Sequence, residues 1–370
     1  MSFYNVYSEY KKLKLGSFFS SVSDQDVIFT LKADAVGVSG FIRLLSPQAR
    51  IRLEELALKA RALTLQYFGR TMQLYTPMYL SNYCENNCVY CGFNSGNKIA
   101  RKKLDHLELE KEAEFIFSTG LRHILILTGE SRKESPLTYI KDCVSVLKRY
   151  FSSISVEIYP LTEEEYAELV LVGVDGLTIY QEVYNESIYD KVHLSGPKKD
   201  YRFRLDAPER GLKAGMRSVN IGALLGLNDW RKEVFFMSLH TQYLQEKFPE
   251  ADIGVSLPRF RPISGDFQVP FLVEDIDIVQ TILALRIFLP RVNISISTRE
   301  FPRFRDKLIP LGVTRMSAGS TTRVGGHTVN IALGDSPAQF QVFDERSVSE
   351  IKVALQRNGY QPVLKDWMHF

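Results

Sequence analysis

The chain has 370 residues, enough for one large α/β barrel or two average domains, and 45% of them are apolar, sufficient for a sizeable core. Its 46 basic and 43 acidic residues leave a formal charge of +3, too even a balance to argue for nucleic acid or a membrane surface as the main partner. No run reaches the roughly 20 apolar residues of a membrane span, and the start Met-Ser-Phe-Tyr-Asn-Val-Tyr lacks the basic and apolar regions of a secretory signal. Three of the four cysteines fall within eight residues, a poor disulfide framework and a good metal site, so a reducing, cytoplasmic location is expected.

In chain order, residues 1–71 read as a helical extension. Ser46-Pro47 is an N-cap followed by proline at the first helical position, and Leu53, Leu56, Leu58, Ala62 and Leu65 carry an apolar face until Gly69 ends the helix. This extension is expected to buttress the outside or bottom of the main domain. From Met72, strand and helix patterns alternate eight times. The strands are Met72–Leu80, His123–Thr128, Ile154–Tyr159, Leu177–Gln181, Val219–Leu225, Asp252–Leu257, Val292–Ser297 and Val313–Ser317. Amphipathic helices are expected over Leu107–Ser118, Leu137–Tyr150, Glu163–Val172, Trp230–Lys247 and Glu274–Phe288. Eight such units without a low-complexity linker predict a (β/α)8 TIM-type barrel over residues 72–322. Residues 323–370, with Gly325-Gly326, a helix over Val348–Arg357 and a closing Lys365-Asp366-Trp367, are expected to form a cap.

In such a barrel, chemistry sits at the C-terminal ends of the strands. Cys84, Cys88 and Cys91 follow the first strand with the spacing C-x3-C-x2-C. Three soft thiolates on one loop can hold three corners of a [4Fe-4S] cluster and leave one iron open to a ligand. The alternative is a structural zinc, which takes four protein ligands; the chain has no second cysteine knuckle, and His106 lies well down the chain. Other strand ends carry Gly129 and Glu130, Glu182, Arg259 and Arg261, Arg299, and Ser317, while Asn220 and Ile221 lie within the fifth strand. Arg299 follows an apolar, β-branched run and needs an anion, either Glu300 or a bound carboxylate, which Ser317 could supplement with a hydroxyl donor. Cys143 shares a helical face with Ile140, Val144 and Leu147 and reads as core. Lys98, Arg101, Lys102 and Lys103 read as a solvated rim, and Trp230 and Trp367 as packing residues.

The cysteine motif, with Tyr90 directly before its third cysteine, resembles the signature of the radical S-adenosylmethionine enzymes. That resemblance implies a [4Fe-4S] cluster whose open iron chelates S-adenosylmethionine, which is cleaved to methionine and a 5′-deoxyadenosyl radical. It also places Tyr90 near the adenine and Thr128-Gly129-Glu130 on the ammonium of the methionine moiety, with Thr128 standing where the family has glycine. Glu182 would meet the ribose, Arg204 the cofactor carboxylate, and Asn220 and Ile221 the adenosyl part. Pro77-x-Tyr79-Leu80-Ser81-Asn82, Tyr180-Gln181-Glu182 and Ser297-Thr298-Arg299-Glu300 narrow the likeness to the tyrosine-lyase group, above all to the 2-iminoacetate synthases of thiamine thiazole biosynthesis. The implied reaction cleaves the Cα–Cβ bond of L-tyrosine to 2-iminoacetate and p-cresol, with Arg299 and Ser317 on the substrate carboxylate. Thiazole synthase and a flavodoxin-like electron donor are the implied partners. Arg259 and Arg261 are weaker candidates for the lining, since Asp266 or Glu300 could pair with either. The hydrogenase-maturation tyrosine lyases, whose extra cysteines hold a second cluster, and the tryptophan lyases remain alternatives within this group. Outside enzymes, the alternative is a zinc-stabilised scaffold for thiazole synthase.

Overall fold

The computed structural model describes residues 2–260, 269–328 and 337–365. Arg261, Asp266, Asp366 and Trp367 lie outside the described residues.

Eight parallel strands close into a barrel: β1 (Thr71–Ser81), β2 (His123–Thr128), β3 (Ser153–Glu157), β4 (Gly176–Glu182), β5 (Ser218–Ala223), β6 (Asp252–Ser256), β7 (Asn293–Ile296) and β8 (Arg315–Ser317). Closure runs through Gln73, Leu74 and Tyr75 of β1, which pair with Arg315, Met316 and Ser317 of β8. The expected eight strands are all present, several of them shorter than their apolar runs suggest. Helices cover the outside, including Glu163–Val172 and Trp230–Lys247 within their expected limits. Strand β3 illustrates why this sequence makes a barrel. Ile154 and Val156 are buried outward, while Ser153 and Ser155 line a lower interior cavity and Glu157 lines an upper one.

The N-terminal helices lie against the barrel's outer helices. Leu53–Phe68 packs on Asp275–Phe288, and Phe3–Tyr10 packs on Trp230–Lys247. One expectation needs correction: Ser46 does cap a helix, its hydroxyl accepting from the Ala49 amide, but that helix is the single turn Pro47–Arg50. A turn at Ile51 and Arg52 separates it from Leu53–Phe68, which ends at Gly69 with φ +63°. The break lets Arg52 ion-pair with Asp24 at 2.6 Å, so tertiary contact overrides helical continuity.

The C-terminal segment does two things at opposite ends of the barrel. Residues 337–346 cross its top, and after helix Val348–Arg357 the short strand β9 (Gln361–Val363) pairs with Thr71, Met72 and Gln73 at the bottom of β1. β1 is thus shared between β9 below and β2 above on one edge. No helix among the described residues is long and apolar enough to cross a membrane.

Candidate active site

The cysteine loop leaves the top of β1 and is held from three sides. Asn87 and Cys88 form a two-stranded antiparallel ribbon with His193–Ser195. The Glu85 amide donates to the Glu130 carbonyl at 3.0 Å. Arg101 donates to the carbonyls of Asn82 (2.6 Å), Phe93 (2.8 Å) and Asn94 (2.6 Å), so it fastens the loop and is not a solvated rim residue. Cys143, by contrast, is the buried core thiol its helical face suggests.

Gly129 is where β2 meets this loop. A Cβ there would lie 2.3 Å from the Tyr83 carbonyl oxygen, so only glycine permits the approach. Gly129→Ala should push the loop away, with a cost of about 1–3 kcal/mol in stability and a lower iron content per chain after anaerobic reconstitution. Denaturation midpoint and iron assay check this together; a variant with wild-type values for both would remove the packing role.

Burial pushes all three thiols up, Cys91 to about 11 and Cys88 further. Opposing this are the backbone N–H groups of Asn86 and Glu130 at Cys84, that of Phe93 at Cys91, and the ammonium of Lys198. A bound metal replaces the thiol proton and offsets the desolvation that penalises a bare thiolate. Three soft thiolates supplied with N–H donors therefore fit an iron–sulfur cluster.

Beside the loop lies a buried charge network. Arg204 donates to the Glu130 carboxylate at 2.8 Å and to the Tyr180 carbonyl at 2.7 Å, and Asn86 donates to the other Glu130 oxygen at 2.9 Å. Burial would raise the Glu130 carboxyl, but Arg204 and Lys198 hold it below its ordinary value. Lys198 donates to Glu182 at 2.9 Å and lies 3.8 Å from Glu130. Glu182 has φ +68°, the one non-glycine residue in that region among those described, at a register shift between β4 and β5. Such a conformation costs about 1–3 kcal/mol and persists where surroundings impose it; here it turns the carboxylate toward Lys198. Tyr90 donates to His193 Nε2 at 2.7 Å, because His193 Nδ1 is committed to the Tyr189 carbonyl at 2.8 Å. Burial, together with Lys198 and Arg204, drives His193 down to about 2, so it is a neutral acceptor that fixes the tyrosine.

Above the barrel core is a cavity of about 110 Å³ whose walls include Cys91, Tyr90, Glu182 and Lys198 on one side and Arg299, Ser317 and Phe340 on the other. Glu300 does not neutralise Arg299: it is bound by Arg259 at 2.8 and 2.5 Å. Arg259 also reaches Asp275, so its role is structural. Arg299 stacks on Phe340, with 3.4 Å from Cζ to the ring centroid, and has no ion pair among the described residues. Burial lowers its pKa from the usual guanidinium range, although an arginine stays charged. Ser317 Oγ accepts from the Thr298 amide at 3.1 Å, which leaves its own proton as a donor.

The structure thus gathers Cys84, Cys88, Cys91, Tyr90, Gly129, Glu130, Glu182 and Arg204 at one end of the cavity, and Arg299 with Ser317 at the other. It does not bring Asn220 and Ile221 there. Asn220 donates to Ser256 at 2.8 Å and lines the lower cavity of about 60 Å³, separated from the upper one by Tyr75 and Tyr180; Ile221 is buried in the core. Sequence reasoning missed Lys198, Glu157 and Gln339, all on the upper cavity.

Residues 78–237 match the Radical SAM superfamily and residues 256–361 the Biotin and Thiamin Synthesis associated domain. The chain is 40% identical over 343 residues to the 2-iminoacetate synthase of Escherichia coli (strain K12), covering 92% of this chain and 90% of that one. Among solved structures, HydG, a maturase of the [FeFe]-hydrogenase, superposes with TM-score 0.88 at 30% identity over 95% of this chain and 80% of its own. Methylornithine synthase (PylB), at 19% identity and TM-score 0.74, shares the fold. With this barrel, this cysteine loop and near-full-length identity of 40%, the chain belongs to the 2-iminoacetate synthase family of radical S-adenosylmethionine enzymes.

Proposed function

We propose that this protein cleaves the Cα–Cβ bond of L-tyrosine to 2-iminoacetate and p-cresol, for thiamine thiazole biosynthesis. The observation that carries the reading to the substrate is Arg299, a half-buried cation without a carboxylate among the described residues, on the same cavity as Cys91. Cys84, Cys88 and Cys91 would hold a [4Fe-4S] cluster, which with S-adenosylmethionine supplies a 5′-deoxyadenosyl radical and yields 5′-deoxyadenosine and methionine. Glu130 and Arg204, paired with each other here, offer the opposite charges that an amino acid's ammonium and carboxylate require. Tyr90 and Glu182 line the space between that pair and the cavity, and Gly129 lets the loop approach. Arg299 and Ser317 would take the tyrosine carboxylate. The barrel excludes water from the reacting carbon.

In this reading residues 1–71 buttress the barrel of residues 72–322, and 323–370 close it. A reactive imine product calls for delivery to a thiazole synthase, and cluster reduction for a one-electron donor such as flavodoxin, in a reducing cytoplasm. Reconstituted protein given dithionite, S-adenosylmethionine and tyrosine under anaerobic conditions should yield p-cresol and 5′-deoxyadenosine. Indole-derived products from tryptophan, or one zinc per colourless chain, would replace this reading with a tryptophan lyase or a scaffold. Arg299→Ala should raise the tyrosine KM on the order of 10- to 100-fold, the range for losing a hydrogen-bonded charge partner. An unchanged KM would take Arg299 out of the site.

A further inference from the structure

Glu157 ends β3 and faces into the barrel, on the wall of the same upper cavity. In the ring order of strands, β3 and β7 are four apart in both directions, so Glu157 stands across the barrel from Arg299. The two side chains are therefore a carboxyl and a guanidinium at opposite ends of one space. Glu157 has no hydrogen bond or ion pair with any described residue, whereas Glu130, Glu182 and Glu300 are each held by a cation. An unpartnered carboxyl inside a barrel is costly and asks for a donor from a ligand. Leu125 and Leu127 on β2 leave the wall beside it apolar, which suits an aromatic ring.

We infer that Glu157 receives the phenol hydroxyl of the substrate, and so selects tyrosine over amino acids whose ring carries no hydroxyl. This rests on the reading of Arg299 as the carboxylate holder: with one end of the amino acid on β7, its side chain extends toward β3. A site built to accept a hydroxyl rejects the analogue that lacks it, because the acceptor, half-buried in the protein and covered by the bound ring, is then left unpaired. Burial, with Glu182 nearby, pushes the Glu157 carboxyl up to about 7, against Arg299, Lys198 and Arg204, which act to lower it. Tyr75, Tyr79 and Tyr180 face it as well and remain neutral. The sign for ligands follows from linkage. A phenol donates best to the ionised carboxylate, so tyrosine affinity should rise as pH passes upward through about 7. A phenylalanine ring disfavours the ionised form, so its affinity should fall over the same interval.

The test is equilibrium binding of tyrosine and of phenylalanine to the reconstituted protein with S-adenosylmethionine present, across that pH interval, for wild type, Glu157→Gln and Glu157→Leu. Wild type should prefer tyrosine by about 100-fold or more. Glu157→Leu should bring the two affinities within about 3-fold of each other, a change in ratio that misplacement of the backbone would not produce. Glu157→Gln, which keeps an acceptor without the charge, should retain part of the preference and lose the opposed pH slopes. If Glu157→Leu keeps the wild-type ratio, the inference is overturned. Its failure is distinguishable from failure of the proposed reaction, because absence of p-cresol in the wild type bears on the reaction, while the binding ratio bears on Glu157.

Discussion

Cys88→Ser should give a folded, colourless protein whose iron content after reconstitution is far below that of wild type and whose p-cresol formation is lost. Cys88 is the most buried of the three loop cysteines, 4% exposed, and its backbone is fixed by pairing with His193. Serine fits the same volume, so the loop stays in place. A serine oxygen, however, is a hard and strongly protonated donor where the site needs a soft thiolate. Outer-shell partners of metal ligands alone are worth about 10- to 100-fold, so losing a ligand should cost more than about 100-fold in activity. Cys143→Ala is the control: that thiol sits in the core between Ile140 and Leu147, and its loss should leave iron content unchanged. Iron and sulfide per chain, with p-cresol yield, decide the matter. Wild-type iron in Cys88→Ser would mean that the loop does not hold the cluster.

Arg305→Met should destabilise the protein by about 3–5 kcal/mol, the cost of breaking a fully buried ion pair. Arg305 and Asp344 are both fully buried; the guanidinium bonds Asp344 and also donates to the Ser317 carbonyl. Asp344 is held in turn by Arg346 at 2.7 Å, and its amide donates to the Thr298 carbonyl at 3.1 Å. Burial would raise the Asp344 carboxyl, but Arg346 and Arg305 keep it below its usual value. This knot ties β8 and the loop after β7 to the segment carrying Gln339 and Phe340 over the cavity. The variant should therefore lose tyrosine affinity along with stability. Arg305→Met with Asp344→Leu should recover much of the stability, since no uncompensated charge is then left. Unfolding midpoints of the three proteins check it; a single variant as stable as wild type would mean that Arg346 alone suffices for Asp344.

The barrel was legible because its period is redundant. Eight repeats of an apolar strand and an amphipathic helix leave few other architectures. The cysteines and Arg299 were legible because each is chemically out of place without a ligand. Glu157 was hidden by the opposite effect. Ser153, Ser155 and Glu157 alternate with apolar residues, a pattern that ordinarily marks a solvent face, whereas in this barrel the polar face is the inner one. Lys198 follows Gly196-Pro197, a setting that reads as a surface turn. Only the ribbon between Asn87–Cys88 and His193–Ser195 carries it to the cysteines. Asn220 lies inside β5, and at that depth, below the rim, residues line a different cavity from the one above.

The shared edge of β1 has a consequence for how this chain acquires its shape. Its first strand waits for partners that come far later along the chain: β8 on one side and β9 on the lower part of the other. Such pairings are maximally non-local, so the loop-closure entropy is spent before any contact with β8 or β9 is gained. Until then the β8 edge of β1 and the lower part of its other edge offer unpaired backbone beside Met72 and Leu74, a template for association between nascent chains. Removing β9 should therefore harm the yield of soluble protein during synthesis more than it harms molecules that have already closed.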